Sequence, residues 1–150
     1  MRAVIQRVSE ASVTIDGKIH SKIGQGLMIL VGFEEADTEN SIERLCAKIV
    51  NIRIFSDKEG KMNLSVLDVE GEILAVSQFT LHASTRKGNR PSFVRAAPPE
   101  VSEPLYLLFL KRLGEIFEKS IASGVFGADM KVALINDGPV TILMDSEKME

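Results

Sequence analysis

The chain has one cysteine, no tryptophan, one tyrosine and two histidines in 150 residues. A single thiol excludes an internal disulfide and a cysteine-rich zinc site. His20 and His82 stand far apart with no acidic cluster near either, which argues against a histidine-based metal site. No apolar run approaches the roughly 20 residues that span a bilayer, and nothing at Met1–Arg2–Ala3 reads as a secretory leader. Excess charge is missing too. Eighteen Lys plus Arg against 21 Asp plus Glu leave a net charge of −3, too acidic a balance for a protein that coats nucleic acid by charge alone. With 45% hydrophobic and 26% charged residues, neither disorder nor coiled coil describes the chain. The expectation is one compact cytoplasmic domain over residues 1–150, with no membrane association, large enough to bury a core without a staple.

What is present reads first as β-structure. Ala3–Val8 predicts a strand, and Ser12–Ile15 and Lys18–Ile23 flank Asp16–Gly17, a dipeptide suited to a tight hairpin because both turn positions need positive φ. After Gly24 and Gly26, the continuous apolar run Leu27–Phe33 suits a strand buried on both faces. Ile42, Leu45, Cys46 and Ile49 fall at i, i+3, i+4 and i+7, a helical stripe with Asp37 or Thr38 as N-cap. Ile52–Phe55 reads as a strand, followed by a polar loop from Ser56 to Lys61 with Gly60 as breaker, and Ile73–Leu81 reads as another strand. His82–Pro99, basic and irregular, reads as a long loop. A second helix is predicted to start near Ser102, take Pro104 in its first turn and end at Gly124, burying Tyr106, Phe109, Leu110, Leu113, Ile116 and Phe117. Lys131–Ile135 and Val140–Met144 close the chain as two strands joined by a turn. The order is that of an α/β mixed fold, a largely antiparallel or mixed sheet curled around, or packed under, two main helices in a single domain.

Several residues invite a chemical reading beside a plain one. Cys46, on the apolar stripe of the first helix, reads as a small buried hydrophobe. Thr80 and His82 would share a face at the end of a strand, which opens a nucleophile–base pair, a Thr esterase, as one option. Ser77–Gln78–Phe79–Thr80–Leu81 ends a strongly apolar strand in polar groups that need partners. They mark either a site at the strand mouth or a strand emerging into solvent. Asn136–Asp137–Gly138–Pro139–Val140–Thr141 is either a hairpin turn or, because Gly-Pro removes a donor and stiffens the chain, a place for a cis peptide holding two carbonyls outward. Arg86, Lys87, Arg90 and Arg95 are either solvated or a phosphate-contacting patch.

Taken together, Ser77–Leu81 and Asn136–Thr141 resemble the two signatures of the D-aminoacyl-tRNA deacylase family, formerly the D-tyrosyl-tRNA deacylases. Similar stretches are Ile5–Gln6–Arg7–Val8, Arg53–Ile54–Phe55–Ser56–Asp57, Gly60–Lys61–Met62–Asn63–Leu64 and Arg90–Pro91–Ser92–Phe93. The resemblance implies a β-barrel-like fold with flanking helices and a hydrolase needing no metal or organic cofactor. Its substrate would be the ester joining a D-amino acid, or glycine mischarged on an alanine tRNA, to the terminal adenosine. It also implies a homodimer whose active site is shared across the interface, with a Gly-cis-Pro motif from each subunit screening the partner's substrate and rejecting L-aminoacyl-tRNA. By the same carry-over Ser77, Gln78, Phe79 and Thr80 form the catalytic segment. Gly138 and Pro139, with Asn136 and Thr141 at the ends of their motif, bind substrate. Arg7 braces them, and Phe126 and Met130 line the adenine pocket.

An ester has a serviceable leaving group, so the implied enzyme has to position water and stabilise an oxyanion. The sequence offers no well-placed histidine–carboxylate relay for Thr80. Assistance by the ribose 2′-hydroxyl of the substrate is therefore the favoured mechanism, with Thr80 in support. A non-catalytic module that binds the 3′ end of tRNA is the alternative function.

Overall fold

The computed structural model describes residues 1–148. β1 (Arg2–Ile15) and β2 (Lys18–Ile23) are joined through Asp16 and Gly17, whose φ of 50° and 75° are the left-handed values that a two-residue hairpin demands. β3 (Gly26–Gly32) continues along the same edge of β1: Ala11 faces Ile23, and beyond the break Val8 faces Gly26 and Arg2 faces Gly32. The two short strands predicted between Ala3 and Ile15 are thus one strand. Exposed Ser9 and Glu10 interrupt its burial pattern without ending it.

β6 (Glu72–Ser77) lies parallel to β3, and the short β7 (Ala122–Ser123) lies parallel to β6. Gly26 allows the first of these pairings, because a Cβ there would fall 1.8 Å from the carbonyl oxygen of Glu72. The sheet curls until Ser21 Oγ, on β2, donates to the Ser123 carbonyl at 2.8 Å, nearly closing a barrel. β8 (Lys131–Asp145) occupies the other edge of β1. It runs through what local pattern predicts as two strands and a turn.

The apolar run in β3 divides between two cores, as expected of a strand covered on both faces. Leu27, Ile29 and Val31 join the cluster under the helices, while Met28 packs inside the curl with Val8, Val13, Ile23, Leu74 and Val76. α1 (Glu39–Asn51) buries Ile42, Leu45, Cys46, Ile49 and Val50, and starts with a capping box in which Thr38 and Ser41 satisfy each other's backbone N–H. α2 (Pro99–Phe117) begins three residues before Ser102, with Pro98 as N-cap and Pro99 in its first turn. It ends well before Gly124, because Glu118 adopts a left-handed cap (φ 57°) and its N–H bonds the Gly114 carbonyl. Pro104 therefore sits inside the helix rather than in its first turn. Leu110 and Ile116 are only half-buried beside the fully covered Tyr106, Phe109, Leu113 and Phe117.

Two further predicted strands are shorter than expected. From Ile52–Phe55 only Phe55 belongs to β4 (Phe55–Ser56), which pairs with β5 (Met62–Leu64) in a small second sheet. β6 stops at Ser77 because its partner β3 stops at Gly32. Gln78 N–H makes a last bond to the Val31 carbonyl at 2.7 Å, and Phe79–His82 then turns into a 3₁₀ helix. Among the described residues no helix is long and apolar enough to cross a membrane.

Candidate active site

The 3₁₀ turn forms one wall of a cleft of about 620 Å³. Gly32 lets that wall approach β3, since a Cβ there would meet the Gln78 carbonyl oxygen at 2.6 Å and the His82 ring at 3.2 Å. Ser77, Gln78 and Phe79 line the cleft from this side, and Phe126 and Met130 line it from the segment before β8. Each aromatic is held. Phe79, half exposed, packs edge-to-face on Phe93 with ring centroids 5.1 Å apart. Phe126 lies 6.0 Å from the ring of Tyr106, whose hydroxyl donates to the Ala75 carbonyl at 2.9 Å. Burial pushes the Tyr106 phenol up to about 12, so it stays a neutral donor. Met130 reaches the cleft because Gly124 leaves room: a Cβ there would lie 2.3 Å from its sulfur.

Thr80 is exposed and its Oγ1 accepts a hydrogen bond from Gln78 Nε2. The Thr80–His82 pair suggested by strand spacing does not form. In the 3₁₀ turn His82 points inward, fully buried, with Nδ1 3.2 Å from Glu34 Oε1 but outside hydrogen-bond alignment. The same carboxylate oxygen pairs with Arg95 Nη2 at 2.9 Å. Cys46 does not line this cleft and is buried on α1, where desolvation pushes its thiol up to about 12.

The second motif lies elsewhere. Val8 faces Asn136 and Gln6 faces Thr141, so the four residues Asp137–Val140 stand opposite Arg7 alone and bow out of the ladder. Gly138 has φ 129°, and the Gly138–Pro139 peptide is cis. Arg7 braces this excursion: Nε donates to the Asp137 carbonyl at 2.9 Å and Nη1 to the Ile54 carbonyl at 2.6 Å. Val140 anchors it from below, being buried, and Thr141 Oγ1 bonds Gln6 Oε1. Asn136, Asp137, Gly138 and Pro139 are all exposed. None of them lines the cleft. Three strand spacings separate β8 from β6, roughly 14 Å at about 4.8 Å each.

Within one chain the structure therefore unites Ser77, Gln78, Phe79, Phe126 and Met130, and separates them from Arg7, Asn136, Gly138, Pro139 and Thr141. Sequence reasoning missed Phe93 and Pro98 as cleft residues. The only local signal was their position in an irregular segment following the polar strand end.

A family model described as D-Tyr-tRNA(Tyr) deacylase matches residues 4–145. The chain belongs to this family. Among deacylase relatives, the protein of Akkermansia muciniphila named D-aminoacyl-tRNA deacylase is 63% identical over 150 residues, covering all of both chains. That of Bacteroides thetaiotaomicron, with the same name, is 61% identical over the same full length. A solved structure titled c-Myc DNA Unwinding Element Binding Protein superposes with a TM-score of 0.92 at 46% identity, covering 97% of this chain and 98% of that one. A second, of a probable eukaryotic D-amino acid tRNA deacylase, has a TM-score of 0.83 at 18% identity, covering 95% and 97%, and shares the fold.

Proposed function

We propose that this chain hydrolyses the ester of D-aminoacyl-tRNA, releasing free tRNA and the D-amino acid, and that glycine mischarged on an alanine tRNA is a second substrate. The observation that carries the reading is the cleft in which Ser77, Gln78 and Phe79, at the end of β6 and the start of the 3₁₀ turn, share a lining with Phe126 and Met130 in a chain of the deacylase family. An unpaired terminal base suits the apolar pair, since stacking and soft contacts are the usual means of holding a splayed base. The ester then meets the 3₁₀ turn. The first N–H groups of such a turn have no intrahelical acceptor, so those of Phe79 and Thr80 are suited to an oxyanion. One such donor is worth about 2.7–4 kcal/mol in the transition state.

Thr80 lacks a base, because His82 is buried behind the turn against Glu34. The substrate's 2′-hydroxyl, assisting an attacking water, fills that role in this reading, and Gln78 and Thr80 position it. Chirality requires a separate element. Rejecting L-esters by about 10⁴ needs roughly 5.5 kcal/mol, and the fit of one methylene supplies only about 1–3. A backbone wall against the α-carbon does more. Gly138–Pro139, bowed out of β8 and braced by Arg7, has the stiffness for such a wall but does not line its own chain's cleft. That separation supports a homodimer in which each subunit's excursion enters the other's cleft. Glycine, with no side chain to clash, passes this filter.

The deciding experiment is a deacylation time course on matched D- and L-aminoacyl-tRNA. Fast release from the D form alone is expected. Equal release from both overturns chiral editing, and tRNA binding without release from either indicates a 3′-end binding module.

A further inference from the structure

Residues 83–98 join the 3₁₀ turn to α2 and carry Arg86, Lys87, Arg90 and Arg95 with no acidic residue among them, on a chain of net charge −3. Ser84 and Ser92 exchange both backbone hydrogen bonds, at 2.8 and 2.9 Å, and so close residues 85–91 into a defined loop. Gly88, at φ 78°, turns its tip in open space. The base of the loop is fastened twice to the cleft wall: Phe93 packs on Phe79, and Arg95 pairs with the Glu34 carboxylate that also faces His82. The loop is therefore held at the cleft mouth by the turn that bears Phe79 and Thr80.

Arg86, Lys87 and Arg90 are exposed and, among the described residues, form no ion pair. Lone cations such as Lys18 and Lys48 are also without an ion pair among the described residues, but no other stretch groups three such cations within five positions, and Arg112, where carboxylates are near, faces Glu39, Glu43 and Glu115. Three uncompensated positive charges on a short bridged loop repel one another, and the arrangement is favourable when a polyanion lies across it. Four residues from bridge to tip reach at most about 13 Å at roughly 3.3 Å each.

We propose that the 84–95 loop is a phosphate clamp for the unpaired strand entering the cleft, with Arg86, Lys87 and Arg90 contacting backbone phosphates 5′ of the terminal adenosine. The inference rests on the deacylase reading, which puts that adenosine between Phe126 and Met130. A clamp of this kind positions without reading bases. It lets one enzyme act on tRNAs of different sequence, which share their 3′ end and their backbone. It also gives the enzyme a reason to prefer tRNA to a free aminoacyl nucleoside.

The test compares the wild type with the triple variant Arg86→Gln, Lys87→Gln, Arg90→Gln and the charge-preserving pair Arg86→Lys, Arg90→Lys. Each is assayed on D-aminoacyl-tRNA and on 3′-O-(D-aminoacyl)adenosine, and tRNA binding is measured from 50 to 400 mM salt. The triple variant should raise KM for the tRNA ten-fold or more, and lower the ratio of kcat/KM for tRNA over nucleoside ester by at least that factor. The log–log salt slope of binding should flatten by about 0.7 per lost contact. The lysine pair should keep the wild-type slope. An unchanged slope and ratio overturn the clamp, as does an equal loss on both substrates, which makes the loop part of the cleft itself. If the wild type releases no D-amino acid, the deacylase reading fails separately, and the slope for uncharged tRNA still decides the loop: retained in the triple variant, it overturns the clamp, and flattened, it supports it.

Discussion

Gly138 meets two constraints at once. Its φ of 129° is nearly closed to other residues, and a Cβ would lie 2.9 Å from Arg7 Nη2 and from Val140 Cγ2. Gly138→Ala should lower the unfolding free energy by about 1–3 kcal/mol in urea titrations, and by displacing Arg7 it should erode the preference for D- over L-esters. Thr80→Ala should retain deacylation within about ten-fold of wild type, whereas a substrate with the ester on the 3′-oxygen of 2′-deoxyadenosine should react poorly. Turnover abolished in a folded Thr80→Ala protein would return the nucleophile to the side chain. Two buried acids set an alkaline limit. Cys46 and Tyr106 ionise near their ordinary values of 9.0 and 10.0 in the unfolded chain but near 12 when folded, because burial disfavours both anions. Their folded values are raised, so the stability they contribute is complete below pH 9 and is lost as pH climbs from 9 to 12. Denaturation midpoints should fall across that window, and less steeply in Cys46→Ala with Tyr106→Phe. At single positions the sequence was most legible where a residue type offends its surroundings, as with polar Ser77–Thr80 after Ile73–Val76, where β6 ends; Arg7 was reached only through the family resemblance. The sequence misled at His82, where spacing by two places side chains on one face only if the strand continues.

α1 and the first hairpin were readable because their determinants are local: a stripe at helical spacing with Thr38 before it, and Asp16–Gly17 between alternating runs. Thr38→Ala should cost about 1 kcal/mol by removing the capping box. The end of β6 and the continuity of β8 were not readable, because each is decided by a distant partner, and the end of α2 was missed because Glu118, not a glycine, takes its left-handed cap. β6 stops where β3 stops, and β8 is kept as one strand by its pairing to β1 on both sides of the excursion. The parallel β3–β6 contact rests on Gly26, where an added methyl would meet backbone rather than a side chain that could move. Gly26→Ala should therefore lower stability by about 3 kcal/mol or more. A change of less than 1 kcal/mol in chemical denaturation would show that the two strands separate more easily than their spacing implies.

The division of the two motifs between the cleft and the outer strand makes the proposed dimer testable as a whole. One variant loses Gln78 and Thr80 to alanine; another has Gly138–Pro139 replaced by a flexible pair. Each homodimer should be defective, the first in rate and the second in chiral selection. In a mixed dimer one site combines both defects, and the other joins an intact turn to an intact excursion. Random exchange of equal amounts should therefore restore about a quarter of all sites to fast, D-selective hydrolysis. No recovery after exchange confirmed by mass would assign Gly138–Pro139 to its own chain.

The pairing of Arg2 with Asp145 and of Thr14 with Lys131 also bears on when the sheet can be completed during synthesis. β1 emerges from the ribosome well before β8, the partner for its outer edge, which follows only after more than a hundred further residues. Until then the hairpin of β1 with β2 and β3 offers unpaired backbone to any other extended chain nearby. Non-local closure of this kind is slow. Addition of β8 to the sheet should therefore be post-translational, and a nascent chain stalled before Lys131 should remain open to proteolysis and to chaperones long after its helices have formed.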